Sequence, residues 1–499
     1  MGCVIGCDVG TQSLKGLLLS ADGKVAARAS SSYPVNFPRP GWAEQDPRDW
    51  IKALEIVVAR LLATSGVSAY EVKTLGLASQ VDGLVAVDQN GKVLRPAIIW
   101  MDRRAEAQCE ALAGQIPRER VFRITGLNLD SSHVGPKILW LRDNEPELFR
   151  AVKGALLPGA YLVSQLTGEY VVDYSNASSS MLYDVSGRAW SQEMLAATDL
   201  DGRLLGQISP SLAIAGNLRP EAAKGLRLTP ATKVVVGCGD EHAACLGAGL
   251  VAPGPICDIA GTAEPVGTAT AAPVLDESGL VETHAHADHR WWLLENPGFV
   301  SGGSLRWVSD VMGVPDYEEL GSAASLAPPG SEGLVFLPCM SGAMTPVWNG
   351  KARGVFFGLA MKHSRGHLAR AVMEGCAYAL RDIADRFRAL GLGGEEIRVA
   401  GGGARSALWC QIKADVTGWL VRTVREPEST ATGAAMLAGV AEGVYSSLDE
   451  AASRMVAFAN CYEPRPKAHL VYQESYATYR EVYAALDPIF TNRRQDECF

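Results

Sequence analysis

Two distant segments of the chain spell one local plan. The first is Ile5-Gly6-Cys7-Asp8-Val9-Gly10-Thr11-Gln12-Ser13-Leu14-Lys15-Gly16, and the second is "ICDIAGTAEPVGTAT" over 256–270. Each runs as an apolar strand, a turn built on glycine and threonine, and a second strand. Such a repeat constrains the fold to two α/β halves that each open on a tight β-meander. In the first half the strand plants the Asp8 carboxylate at the mouth of a turn rich in amide and hydroxyl donors. We therefore expect a mixed α/β protein of two domains, one over 1–248 and one over 249–499, packed around a cleft.

Bulk properties agree. A chain of 499 residues exceeds what one core usually supports. A net charge of −9 argues against nucleic acid or an anionic membrane as the main partner, because both need a basic surface. No apolar run reaches the roughly 18 residues of a membrane span. The opening residues carry no leader pattern, and the 11 cysteines form no CxxC pair. We expect free thiols and a cytoplasmic setting.

The coarse reading places strands at 3–7 and 14–20, a turn at 21–23 and a strand at 24–29. A helix is expected over 47–63, capped by Asp46 with Pro47 at its first position, burying Trp50, Leu54, Val57, Val58 and Leu61. Gln89-Asn90-Gly91 signals a hairpin between 84–88 and 92–95. A strand at 233–236 leads into Gly237-Cys238-Gly239-Asp240 and a helix of small residues. A long helix is expected over 364–390. The segment 396–424 reads as strand, Gly401-Gly402-Gly403-Ala404, helix, strand.

Several residue sets carry candidate chemistry. Asp8 with Gly10, Thr11, Gln12, Ser13 and Lys15 can hold Mg²⁺ and phosphate oxygens, although a turn aspartate capping its own loop has the same spelling. Gly261 and Thr262 offer a second hydroxyl–glycine turn. A helix N-terminus keeps the Asp240 carboxylate ionised for proton acceptance, or Asp240 is simply the helix cap. Three successive glycines at 401–403 suit a flat ring or phosphate against bare backbone. No Gly-Lys pair precedes a hydroxyl residue, so a P-loop is excluded. His284, His286, Asp288 and His289 spell a metal-like cluster, but no separate ligand motif supports it, and we read a polar hairpin.

Taken together, these motifs resemble the FGGY-type carbohydrate kinases, and within them the xylulokinases. The resemblance runs nearly end to end through "GCDVGTQSLKGLLLSADG", "GWAEQDPRDW", "RPAIIWMDRRA", "KILWLRDNEPE", "GCGDEHAACLGAG", "GVFFGLAMKHSRGHLARAVMEG" and "VAGGGARSALWCQIKADVTG". It implies two ribonuclease-H-like domains, as in actin and Hsp70 ATPases, with acidic side chains of the two lobes converging on one crevice. It implies ATP and Mg²⁺ as cofactors, with Asp8 at the metal and Asp240 as catalytic base. Gly10, Thr11, Gln12, Ser13 and Lys15 would form the first phosphate loop, Gly261 and Thr262 the second. Gly402, Gly403 and Ala404 would lie beside the adenosine. The implied partners are a small sugar and MgATP, in a protein that leans towards a homodimer.

The chain departs from the xylulokinase pattern where the sugar is expected. Val81-Asp82 replaces a Met-His or similar pair, and Glu241 replaces an asparagine after the base. Val81, Asp82, Asp240 and Glu241 are thus the expected sugar contacts. Added carboxylates accept bonds from hydroxyls and repel an acidic sugar. The implied reaction is in-line phosphoryl transfer to a ketopentose, D-xylulose to its 5-phosphate. Ribulose, ribitol, erythritol and glycerol remain open as acceptors. An actin- or Hsp70-like ATPase uses the same fold and would need no sugar pocket.

Overall fold

The protein is described from a computed structural model covering residues 2–492. The first half begins with β1 (Cys3–Val9), β2 (Ser13–Leu19) and β3 (Val25–Ser32), an antiparallel meander as expected. Helix α1 (Pro47–Ser65) follows, with Asp46 accepting from Arg48 N and with Trp50, Leu54, Val57, Val58 and Leu61 buried. It returns the chain to β4 (Val72–Ser79), which runs parallel to β1. After α2 (Val134–Asn144) come β5 (Ile214–Asn217), β6 (Lys233–Val235), the short β7 (Cys238–Gly239) and α3 (Asp240–Gly247). The sheet order is β5-β6-β4-β1-β2-β3, with β7 paired to β4.

The second half repeats this plan. It comprises β8 (Ile256–Ile259), β9 (Val266–Thr270), β10 (Glu282–Ala285), β11 (Trp292–Asn296), α4 (Gly302–Met312), α5 (Arg365–Ala389), β12 (Glu396–Ala400), α6 (Ala407–Thr417), β13 (Leu420–Val424), α7 (Ser429–Glu442) and β14 (Phe458–Tyr462). Its sheet runs β10-β11-β9-β8-β12-β13-β14. In both sheets an antiparallel meander meets parallel strands beside the first strand, which is the ribonuclease-H arrangement.

Each sheet has its own core. Ile5, Trp50, Val57 and Leu75 belong to one, and Val372, Leu380, Ile383, Phe387 and Ile397 to the other. The separation is not complete along the chain, because α7 crosses back onto the first sheet. A Cβ on Gly6 would stand 2.3 Å from Ala435 N, and one on Gly76 would stand 2.1 Å from Ala434 O. Only bare backbone lets the helix approach β1 and β4 so closely.

The hairpin expected at 89–91 is partial. Asp88 N donates to Lys92 O, but Val85–Val87 takes Gly154–Leu156 as its ladder partner. The 92–95 arm contributes only a bridge at Val93, on the edge of Val85–Val87 opposite that distant strand. The ten cysteines among the described residues are free, and nine are buried; Cys498 lies outside those residues. No helix among the described residues is long and apolar enough to cross a membrane.

Candidate active site

Strand register brings the two key carboxylates together. On β4, Ala78 faces Asp8 and Ser79 faces Gly239. Asp8 and Asp240 therefore stand at one end of the first sheet with β4 between them, roughly 10 Å apart at the backbone. Both belong to the first half, Asp8 on β1 and Asp240 directly after β7, which corrects the expectation that the two lobes supply one acid each.

The Asp8 Oδ1 atom is buried and without a hydrogen-bond partner. Burial pushes this carboxyl up to about 7, against the pull of Lys15 and with a further push from Glu428. The turn after it is held from several sides. Gly10 N donates to Ser13 O, and Tyr33 OH donates to Gly10 O. Gln45 Nε2 donates to Thr11 O at 2.6 Å, while Gln45 Oε1 accepts from Gln80 Nε2 and from the buried Trp50 indole. Gln12 is exposed, and Ser13 starts β2 opposite Ser32. Lys15 leaves this turn for an ion pair with Glu428 at 2.9 Å, just before α7.

Asp240 is the first residue of α3, and Gly239 occupies the cap position, so the alternative reading of Asp240 as a cap does not hold. Its Oδ1 accepts from Glu241 N at 3.0 Å. The helix end does not act alone on this carboxyl. Burial, then the neighbouring Glu241 and Asp8 charges, drive its pKa well above the usual carboxylate range. These effects outweigh the helix N-terminus.

A cavity of 180 Å³ opens between the lobes beside Asp240. It holds all four expected sugar contacts, Val81, Asp82, Asp240 and Glu241, together with Thr11. Sequence reasoning missed most of the remaining wall. Gln80, Trp100, Arg103, Asp130 and His133 come from the first half, and Glu282, His284 and Glu295 from β10 and β11. Trp100, whose indole donates to Thr11 Oγ1, was legible within "IIWMDRRA". Glu282 and His284 alternate on one strand face, and register sets Glu295 opposite Glu282.

Asp82 adopts a positive φ of 57°, which the buried Lys137 fixes by donating to Asp82 O at 2.6 Å. Burial lowers the Lys137 pKa to about 7. His133 Nδ1 lies 3.2 Å from Asp82 Oδ2. Burial disfavours the imidazolium, but Asp82 outweighs it, helped by Glu282 and Asp130, and lifts His133 to about 9. Burial also raises Glu241 and Glu282 to about 7. The cavity wall is therefore rich in carboxyl groups, several of them pushed toward the neutral form.

The second turn lies across the cleft. Gly302 N donates to Gly261 O, and Gly303 N donates to Thr262 O. The N-terminus of α4 thus packs on this turn, a contact that "SGGS" at 301–304 could have suggested. Gly403 N donates to Ala260 O at 2.9 Å, and Gly401 takes a φ of 84° beside the same residue. Gly402, Gly403 and Ala404 consequently sit next to the Gly261–Thr262 turn. Beneath lies a fully buried ionic group. Lys413 Nζ is 2.6 Å from Asp258 and 2.9 Å from Glu264, and Glu264 accepts from Ser301.

Twin sheets of this order, each ending its first strand in a donor-rich turn and together enclosing a polar pocket, define a two-lobed small-molecule kinase. The N-terminal domain of the FGGY family of carbohydrate kinases matches residues 3–247, and its C-terminal domain matches residues 258–442. The chain is 35% identical to the xylulose kinase of Escherichia coli (strain K12), over 97% of this chain and 99% of that one. It is 31% identical to the gluconokinase of Bacillus subtilis (strain 168), over 98% and 95%. It superposes on a ligand-bound xylulose kinase from Lactobacillus acidophilus with a TM-score of 0.91 at 26% identity, covering 98% of this chain and 99% of that one. The chain belongs to the FGGY family of carbohydrate kinases, and ATP is the substrate that this membership implies.

Proposed function

We propose that the chain transfers the γ-phosphoryl group of ATP to a hydroxyl of a neutral ketopentose, D-xylulose foremost, with Asp240 as the base. The observation that carries this reading is the position of Asp240. It lines the cavity at the start of α3 and stands at the same sheet end as Asp8. The acceptor hydroxyl would lie against Asp240, which orients it and takes its proton as the new P–O bond forms. A carboxylate whose pKa is raised is a better match to that proton than an ordinary one.

A cation fits at Asp8, because its Oδ1 is buried with no donor to satisfy it. Asp8 would hold Mg²⁺, which when bound supplies charge neutralisation at the phosphates. Backbone and hydroxyl donors of Gly10, Thr11, Gln12 and Ser13 would meet the phosphates from the first lobe, and those of Gly261 and Thr262 from the second. Gly402, Gly403 and Ala404 would lie along the adenosine. Lys15, already paired with Glu428, acts as a clasp between β2 and the approach to α7. A closed cleft excludes water, the rival nucleophile.

Acceptor choice follows from charge. Asp82, Asp130, Glu241, Glu282 and Glu295 face the cavity, while Arg103 is already paired with Asp130. Hydroxyl donors suit such a wall and a substrate carboxylate does not. The buried, unpaired thiols support activity in a reducing cytoplasm. The test is ADP release with D-xylulose, L-xylulose, D- and L-ribulose, ribitol, erythritol, glycerol and gluconate. A neutral ketopentose or polyol should turn over fastest. Preference for gluconate, or ATP turnover that ignores every acceptor, would overturn the reading.

A further inference from the structure

The cavity wall formed by α3, β10 and β11 contains a group of side chains to which phosphoryl transfer assigns no chemical step. His242 sits in the first turn of α3, His284 on β10 and Glu295 on β11. Each is at most 4% exposed. One ligand atom from each lies within 4.8 Å of the other two. His284 Nε2 is 3.3 Å from Glu295 Oε1. That spacing matches the roughly 3.4 Å between neighbouring ligands of a tetrahedral ion with metal–ligand bonds of about 2.0–2.1 Å.

The nitrogens are unsatisfied. His242 Nδ1 and both ring nitrogens of His284 are buried without a hydrogen-bond partner. Buried polar atoms are almost always hydrogen-bonded, so an unmet set of this size calls for a ligand. Glu241 adds a second carboxyl to the same cavity wall as Glu295. Gly267 faces Glu295 across β9, so no side chain occupies the neighbouring register position. The sequence spelled only part of this set. His284 came from the "HAHADH" segment, but its partners stand on α3 and β11, whereas His286 accepts from Asp288 N instead.

We propose that His242, His284 and Glu295 bind a divalent transition-metal ion of the zinc class, separate from the magnesium that accompanies ATP. Two imidazoles and a carboxylate suit zinc or cobalt and discriminate against the harder magnesium, which takes oxygen ligands. All three residues line the cavity. The ion therefore keeps an open position toward the substrate, where a hydroxyl or carbonyl oxygen completes its coordination and fixes the sugar's orientation. The proposal does not depend on which acceptor the enzyme prefers.

The test is metal binding, without turnover. Full-length protein is stripped with chelator and titrated with Co²⁺ while visible ligand-field absorption is followed. We expect a single equivalent with a nitrogen-ligated spectrum, displaced by Zn²⁺ and unaffected by a large excess of Mg²⁺. His284→Ala and, independently, the near-isosteric Glu295→Gln should each weaken binding about tenfold or more. Asp8→Asn should leave it intact. Circular dichroism establishes that each variant is folded before it is titrated. Absence of nitrogen-ligated cobalt in the wild type, or unchanged binding in either folded variant, would overturn the proposal.

Discussion

Asp82→Asn probes the Asp82–His133 charge pair in the cavity wall. In the wild type, Asp82, helped by Glu282 and Asp130, lifts His133 from 6.5 to about 9 despite its burial. At 1.36 kcal/mol per unit, this rise of roughly 2.5 units corresponds to about 3 kcal/mol of folding stability. Both side chains are nearly enclosed, at 6% and 11% exposure, so solvent screening removes little of it. The folded-state pKa lies above the unfolded one. The stabilisation is therefore complete below pH 6.5 and disappears as pH rises through 9. Asp82→Asn removes the anion and leaves burial to keep His133 neutral. Thermal unfolding of the two proteins should thus differ by about 3 kcal/mol more at pH 6 than at pH 9.5. In a domain of this size that is roughly 6–12 °C in the unfolding midpoint. Histidine NMR of the same pair should show the His133 titration moving below 6.5 in the variant. A stability gap that stays constant from pH 6 to 9.5 would refute the reasoning.

Three further outcomes are expected. Asp8→Asn should abolish the stabilisation that MgATP gives the wild type and reduce turnover at least about 100-fold, read by thermal shift and ADP release. Lys413→Met leaves Asp258 and Glu264 buried without their cation. Breaking such a group costs about 3–5 kcal/mol, so denaturant unfolding should shift accordingly. Gly76→Ala places a Cβ 2.1 Å from Ala434 O. Urea unfolding should show a loss of about 1–3 kcal/mol as α7 is pushed from the first sheet.

Much of this architecture was legible because its signals are local. The β1–β2 meander, the Asp46 cap of α1, the long α5 and the strand–glycine–helix at 396–417 rest on periodicity and on residues adjacent in sequence. The doubled turn at Gly10-Thr11 and Gly261-Thr262 pointed to two halves before any strand was paired. What escaped were long-range contacts. Nothing in "VLRP" shows that Val85–Val87 would take Gly154–Leu156 as its ladder partner on the other edge. The crossing of α7 onto the first sheet depends on Gly6 and Gly76, which read as ordinary strand glycines. Glu295 in "WWLLENPG" looks like a strand-end acid until β10 and β11 pair and turn it to the cavity. The upward push on the Asp240 carboxyl escaped for the same reason. Its helix position was visible, but the burial and the neighbouring Asp8 that raise its pKa come from tertiary packing.

The role of Asp240 can be isolated by Asp240→Asn, which keeps the side chain's size and removes its ability to take a proton. Steady-state turnover with the best acceptor should fall by about 100-fold to 10,000-fold. Nucleotide affinity, measured by calorimetry in the same preparation, should stay within about threefold if Asp240 acts on the acceptor as proposed. A loss of turnover smaller than about tenfold would contradict the account and remove Asp240 from its place as the base.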